Sequence, residues 1–188
     1  MRGGHVFSAY IVHDAYLNLR YANGWAVDTE NVEAKDAVQM GEYKAMVEAL
    51  SYCSENGIRR VWLEDDCSGV IRVVNDVAWL RGTMDKKYRC EFEKSRPQAL
   101  MATGISRSCN IPARFMACCA HDFFEADDKE KRPPLCERRV EFSSMEDLKR
   151  EQAAAPSTSA YFRTLHELLC SLKKDAKGLG QHFVKWQV

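Results

Sequence analysis

Residues 41–68 read GEYKAMVEALSYCSENGIRRVWLEDDCS, and this stretch decides the fold. Its first half places apolar side chains on one face of a helix with a 3.6-residue period: Tyr43, Met46, Val47, Leu50 and Cys53. Asn56-Gly57 supplies the left-handed residue that ends a helix. Beyond it a compact apolar run is long enough for one buried strand and too short for another helix: Ile58, Val61, Trp62 and Leu63. Helix, tight turn and strand together predict half of an α/β unit.

Two carboxylates flank this unit, 24 positions apart in the sequence. Glu42 lies in the first turn of the predicted helix, and Asp66 lies where the strand ends and the next helix, residues 68 to about 80, begins. Taken alone, Glu42 is explained by the helix dipole and Asp66 by an N-cap. Taken together, they are expected at one edge of the sheet, where a pair of acids suits a divalent metal ion.

The segments GEYKAMVEAL and GIRRVWLEDDCSGVIRVVNDV resemble the central part of ribonuclease H type 1 domains, especially their reverse-transcriptase-like branch. Those domains show a helix of the A-E-Y-x-A-L type, a G-I-x-x-V strand, and D-S at the start of the next helix. The resemblance covers about residues 41–77. It implies an α/β, ribonuclease H-like fold in which a central five-stranded mixed sheet is flanked by helices, here with a helical C-terminal extension.

The resemblance also implies a first acid in an opening strand. The strand-like segment Phe7–His13 leads to Asp14, and Gly24-Trp25 follows at the distance expected for the start of a second strand. Asp14 is therefore the candidate. The family usually has small residues after this acid, whereas this chain has Tyr16, which would narrow the approach of a nucleic-acid backbone. Between Trp25 and Glu42 there is room for only two short strands.

A fourth acid is implied at the start of a late helix. Glu125-Ala126-Asp127-Asp128 follows the strand-like segment Ala113–Ala120, so Asp127 is the candidate and Asp128 a neighbour able to substitute for it. His121 resembles the mobile histidine that some family members use near the attacking water or for product release. A surface histidine explains it equally well.

Four carboxylates, from Asp14, Glu42, Asp66 and Asp127, repel one another unless cations lie among them, so the set implies two Mg²⁺ or Mn²⁺ ions. In the family, one ion activates a water for in-line attack on the scissile phosphate, and the other stabilises the departing 3′ oxygen. The resemblance thus implies a metal-dependent endoribonuclease that cleaves the RNA strand of RNA–DNA hybrids, or structured RNA. The alternative is a catalytically inactive nucleic-acid-binding or assembly module in a larger complex, because the motifs depart from the family around Asp14 and at Cys67.

Composition restricts the class of protein to which this chain can belong. The 188 residues are enough for one main domain, and 46% hydrophobic with 29% charged residues is ordinary for a globular protein. No apolar run is long enough to span a membrane, and the first residues lack a signal-peptide core, so we expect an intracellular protein of the cytoplasm, nucleus or organelle matrix that is not secreted. The eight cysteines form no C-x-x-C pair, which argues against a zinc module. Since the sequence shows no secretory signal, we expect their thiols to be reduced.

A net charge of zero weakens a nucleic-acid interpretation, but the distribution of charge partly restores it. Residues 69–100 carry seven basic and four acidic side chains. The nucleic-acid-binding candidates lie there, at the place where the resemblance implies a region that contacts the hybrid duplex: Arg81, Lys86, Lys87 and Arg89. A solvated helix face explains the same pattern equally well.

Beyond residue 128 the sequence changes character, which predicts a ribonuclease H-like domain over residues 1–132 and a C-terminal helical extension over 133–188. Ser143-Ser144 cap a short charged helix, from Met145 to about Ala155. An amphipathic leucine helix follows and ends near Gly178, and Trp186 lies close to the end of the chain. The extension either packs on the domain or binds a protein partner through an exposed leucine stripe.

Overall fold

The computed structural model describes residues 4–29, 33–76, 86–126 and 139–179. The strands in these ranges are β1 (His5–His13), β2 (Leu19–Asp28), β3 (Arg60–Asp65), β4 (Ala99–Gly104) and β5 (Arg139–Phe142). The helices are α1 (Ala34–Glu55), α2 (Ser68–Asn75), α3 (Lys86–Ser95), α4 (Ile111–Ala126), α5 (Met145–Ala154) and α6 (Ala160–Leu179). None of these helices is both long and apolar enough to cross a membrane.

The chain divides into two compact units. The first unit consists of Met1–Ser8 and Val27–Asn110, and the second unit consists of Ala9–Ala26 and Ile111–Val188. The first unit therefore contains α1, β3, α2, α3 and β4. The second contains most of β1 and β2, together with β5, α4, α5 and α6.

The first unit is built on a parallel pair of strands covered by helices. β3 and β4 pair in register from Arg60 opposite Ala99 to Asp65 opposite Gly104. Val61 and Leu63 of β3 pack against a buried cluster from all three helices of the unit. This core comprises Tyr43, Met46, Val47 and Leu50 of α1, Val70, Val73 and Val74 of α2, and Phe92 of α3.

Helix α1 is longer than the sequence predicts. It begins at Ala34, so Glu42 lies beyond its second turn and not in its first. The end of the helix is as predicted: Asn56 is the C-cap, and Gly57 follows with a φ of +70°. Glycine takes this left-handed conformation without a steric penalty.

Gly41 fixes how closely α1 approaches the start of β1. A Cβ atom at this position would lie 2.7 Å from Ser8 Oγ and 2.9 Å from Val6 Cγ1. Both distances are shorter than a carbon side chain tolerates, so glycine permits the contact. Because Gly41 precedes Glu42, this packing also helps to fix where Glu42 lies along the helix.

The second unit is built on a three-stranded sheet in the order β1-β2-β5. β2 and β5 are antiparallel, with Ala22 opposite Phe142 and Trp25 opposite Arg139. Helices α4, α5 and α6 contribute to one buried core together with β2 and β5. Its members include Met116, Cys119, Val140, Phe142, Leu148, Leu165, Leu168, Leu169 and Leu172.

The prediction of a strand over Ala113–Ala120 is wrong, since this segment lies inside α4. Its buried side chains, Met116, Cys119 and Ala120, recur at three- and four-residue spacing, which is helical, and leucines of α6 share their core. Glu125 and Ala126 consequently end a helix instead of opening one.

The α/β class is confirmed, but the arrangement of the strands differs from one continuous sheet. The five strands of the described residues are divided between a three-stranded and a two-stranded sheet. In place of two short strands between Trp25 and Glu42, β2 continues to Asp28 and α1 begins at Ala34, with residues 30–32 outside the described ranges. β5, from much later in the chain, pairs with β2 on the side opposite β1.

The two predicted C-terminal helices are present as α5 and α6, and Ser144 caps α5 by accepting a hydrogen bond from the backbone N–H of Asp147 at 3.1 Å. Four leucines of α6 are buried in the core of the second unit, so they do not form the exposed stripe expected of a partner-binding tail: Leu165, Leu168, Leu169 and Leu172. The predicted boundary between residues 132 and 133 lies outside the described residues, as does Trp186.

Candidate active site

The alternation of side chains along β3 determines which acid at its end faces the helices. Val61 and Leu63 are half-buried against the core of the first unit, whereas Trp62 and Glu64 are exposed. Successive strand residues point to opposite faces, so Asp65 shares the face of Val61 and Leu63. Asp65 is half-buried there, as the last residue of the strand.

Burial, more than any other factor, raises the pKa of Asp65 to about 6. The backbone N–H of Cys67 donates a hydrogen bond of 2.7 Å to Oδ1 of Asp65, which lowers the pKa, whereas the neighbouring Asp66 carboxylate raises it further. A positive charge close to such a carboxyl group would favour its charged form.

Glu42 approaches the same acids from helix α1. It is half-buried, and burial is the main reason that its pKa is raised to about 7, followed by repulsion from the carboxylates of Asp65 and Asp66. The positive charge of Arg107 acts in the opposite direction. The dipole effect is confined to the first turn of a helix, so it does not explain an acid beyond the second turn of α1.

Asp66 is exposed and is not the N-cap of α2, because Cys67 takes that position. Its Oδ1 instead accepts a hydrogen bond of 2.6 Å from Nδ2 of Asn110, 44 residues later in the sequence. Burial raises the pKa of the Cys67 thiol, and the carboxylates of Asp65 and Glu42 raise it further. Cys67 therefore stays neutral and adds no negative charge to the acids.

The start of α2 lies close to α1. A Cβ atom at Gly69 would lie 2.8 Å from Gln39 Nε2 and 3.4 Å from the hydroxyl of Tyr43. Gln39 Nε2 donates a hydrogen bond of 2.8 Å to that hydroxyl, which fixes both side chains. Since Tyr43 follows Glu42 and Gly69 comes three residues after Asp66, this contact holds the acids of α1 and β3 at the same end of the unit.

Both ends of the segment 105–110, which follows β4, contact Asp65 or Asp66. The backbone N–H of Ile105 donates to the carbonyl of Asp65 at 3.0 Å, and the side chain of Asn110 reaches Asp66. This segment, which we call the return loop, also carries Arg107. The candidate site therefore consists of three carboxylates, one amide and one guanidinium, all within the first unit.

Asp14 lies in the second unit, in the loop between β1 and β2. Its Oδ1 accepts hydrogen bonds of 2.9 Å from the backbone N–H groups of Tyr16 and Asn18, and its Oδ2 accepts one of 3.0 Å from Nδ2 of Asn18. Partial burial alone would raise the pKa of Asp14, but these hydrogen bonds and the nearby Arg20 lower it below its ordinary value. The carboxylate thus has a structural role in its own loop.

Of the two candidates from the late part of the chain, His121 lies within the described residues and belongs to the second unit. His121 is half-buried inside α4, and its Nδ1 lies 3.0 Å from Oδ1 of the adjacent Asp122. Asp122 in turn accepts a hydrogen bond from Thr164 of α6. Asp127 and its neighbour Asp128 lie outside the described residues.

The structure describes the basic candidates only in part. Arg81 lies outside the described residues, and Lys86 and Lys87 begin α3 with side chains that also lie outside them. Arg89 is half-buried on the same helix. Their role in binding nucleic acid stays a prediction.

Hard divalent cations prefer oxygen ligands, and Glu42, Asp65 and Asp66 provide three carboxylates at one end of the first unit. The raised pKa values of Glu42 and Asp65 also mean that a cation nearby would favour their charged forms. The donor chemistry therefore fits Mg²⁺ or Mn²⁺. Within the described ranges, however, no three carboxylate, imidazole or thiol groups are arranged to hold a metal ion by themselves.

Sequence reasoning missed three residues of this site. The place of Asp65 in the site could have been predicted from the alternation of side chains along the strand, because Val61, Leu63 and Asp65 are two residues apart and share a face. Arg107 and Asn110 carried no local signal. Their proximity to the acids follows from the pairing of β4 with β3 and from the course of the return loop.

Comparison with known protein families identifies residues 18–119, more than half of the chain, as matching the family described as reverse transcriptase-like. The chain belongs to this family, and its domain is of ribonuclease H type, as its central motifs predict. Neither curated proteins nor solved structures gave a significant match.

Proposed function

We propose that this chain is a metal-dependent endonuclease that hydrolyses the RNA strand of RNA–DNA hybrids, or structured RNA. The observation that carries the proposal is the convergence of Glu42 from α1 with Asp65 and Asp66 from the end of β3. In a domain of ribonuclease H type, acids gathered in this way suit the binding of catalytic cations next to a phosphodiester.

Glu42, Asp65 and Asp66 are the proposed metal ligands of the first unit, and Asp14 and Asp127 are the proposed ligands from the remainder of the chain. Two bound Mg²⁺ or Mn²⁺ ions supply the activation of water and the neutralisation of charge on the departing 3′ oxygen. His121 is the proposed histidine near the attacking water or the leaving product.

The residues of the chain must meet two conditions for this chemistry. Glu42 has to lose its proton, and because burial and its acidic neighbours raise its pKa to about 7, the charged form predominates only above that pH unless cations are bound. Asp66 has to keep a fixed orientation, which the short hydrogen bond from Asn110 provides. Hydrolysis then joins the water oxygen to phosphorus, breaks the bond to the 3′ oxygen and delivers a proton to that oxygen.

A second function, nucleic-acid binding or assembly without catalysis, is favoured by a specific observation. The carboxylate of Asp14 is occupied by three hydrogen bonds within its own loop and lies near Arg20. An acid held in this way serves the loop, and a ligand set without it is smaller than the family's. Under this alternative the chain binds the hybrid and leaves it intact.

Incubation of the purified chain with Mg²⁺ or Mn²⁺ and a hybrid labelled on its RNA strand separates the two functions. We expect cleavage that Glu42→Gln, Asp65→Asn and Asp66→Asn each abolish. Glu64→Gln is the matched control, because it neutralises an exposed acid on the opposite face of the same strand. Cleavage that survives all three substitutions rejects the site, and binding without cleavage by the unmodified chain supports the alternative.

A further inference from the structure

The return loop, residues 105–110, is held against the acids and is ordered by its own hydrogen bonds. The backbone N–H groups of Cys109 and Asn110 both donate to the carbonyl of Ser106, at 2.7 and 3.3 Å. The hydroxyl of Ser106 lies 2.8 Å from that of Ser108 and donates to Cys109 Sγ at 3.1 Å. Arg107 therefore projects from a closed turn whose two ends are fixed to Asp65 and Asp66.

The Arg107 side chain is exposed, and in the described part of the chain it forms no ion pair and no hydrogen bond. Its charge nevertheless acts on Glu42, whose pKa it lowers. A guanidinium that served only to neutralise these acids would gain most by pairing with one of them directly. Arg107 instead keeps its donors available on the loop whose ends contact Asp65 and Asp66.

We propose that Arg107 is a positioning residue that binds a backbone phosphate of the nucleic acid and holds it beside Glu42, Asp65 and Asp66. A phosphate approaching three carboxylates meets repulsion, and a cation at the rim of the acids offsets it. The planar guanidinium suits this task because its paired N–H donors match two phosphate oxygens. The inference rests on the proposed function for its substrate, but its test measures binding and needs no cleavage.

The test measures the affinity of a fluorescently labelled RNA–DNA hybrid by anisotropy over a series of salt concentrations, with Ca²⁺ in place of Mg²⁺. A residue that neutralises one phosphate contributes about 1 to the slope of log K against log salt concentration. We expect Arg107→Ala to make this negative slope shallower by about 1 and to weaken binding most at low salt. Arg107→Lys should keep the slope, because the charge remains, while losing part of the affinity with the paired donors.

Arg59→Ala is the matched control, since Arg59 is an exposed arginine of the same unit at the opposite end of β3. It should leave the slope unchanged. An Arg107→Ala slope equal to that of the unmodified chain overturns the proposal, and so does a failure of the unmodified chain to bind the hybrid. Should Arg107→Ala not fold, Arg107→Gln carries the same expectation. Binding that depends on Arg107 in a chain that never cleaves the hybrid would refute the nuclease function and leave this inference standing.

Discussion

Replacing Glu42 by glutamine should make the protein more stable at alkaline pH while removing a proposed metal ligand. Burial, together with Asp65 and Asp66, raises the Glu42 pKa from 4.5 to about 7. The folded protein therefore binds this proton more tightly than the unfolded chain does, and stability falls as the pH rises between these two values. At about 1.4 kcal/mol for each pH unit, the loss amounts to roughly 3 kcal/mol above about pH 7.

Glutamine keeps the shape of the side chain and carries no charge, so Glu42→Gln should not show this loss. We expect the variant and the unmodified chain to have similar free energies of unfolding near about pH 4, and the variant to be more stable by up to roughly 3 kcal/mol near about pH 8. Chemical denaturation at a series of pH values, with a chelator present, measures the difference.

Glu64→Gln is the control for this experiment, because Glu64 is an exposed acid one residue before Asp65. It should reproduce the pH dependence of the unmodified chain. A Glu42→Gln variant that is less stable than the unmodified chain at alkaline pH, or that keeps the full pH dependence, would refute the assignment of Glu42 as a half-buried acid repelled by its neighbours.

Three further outcomes are expected. Mg²⁺ at 100 times its dissociation constant should stabilise the unmodified chain by about 2.7 kcal/mol near neutral pH and should leave Glu42→Gln unaffected, as thermal denaturation with and without the ion will show. Asp14→Ala removes the acceptor for two backbone N–H groups of its loop and should cost about 1 kcal/mol near neutral pH. Partial burial would raise the Asp14 pKa, but hydrogen bonds and Arg20 outweigh it and lower that pKa below 3.8. The difference in the free energy of unfolding between Asp14→Ala and the unmodified chain, measured by chemical denaturation, should therefore disappear as the pH falls below that value. A constant difference down to the lowest pH would contradict the role of the charge. Gly41→Ala should cost about 1–3 kcal/mol by overpacking against Ser8, and Ser8→Ala should recover part of the loss in melting temperature.

Predictions from sequence succeeded where neighbouring residues carry the signal. The apolar face of α1, its end at Gly57 and the Ser144 cap of α5 each depend on a few adjacent positions. The same holds for the motifs around Glu42 and Asp66 that indicated a ribonuclease H-type domain. These signals reflect backbone conformation and side-chain periodicity, which the local sequence controls.

Predictions failed where a distant partner decides the outcome. Residues 113–120 form a compact apolar run, and short runs of this kind fit a strand or a helix equally well. Helix α6 settles the choice, because its leucines share a core with Met116 and Cys119. Helix α1 is likewise longer than the local sequence predicts, so the helix dipole does not explain Glu42.

The amino-acid sequence by itself determined the α/β class, the family and the presence of acids at the end of β3. Only the tertiary structure decided that Asp65 lies on the core-facing side of β3, that Asn110 holds Asp66 and that Arg107 lies on the loop whose ends contact these acids. The physical reason is that these side chains are brought together by the register of β3 with β4 and by the packing of α1, which depend on contacts between residues far apart in the chain. Local propensity acts over a few residues and does not encode such contacts.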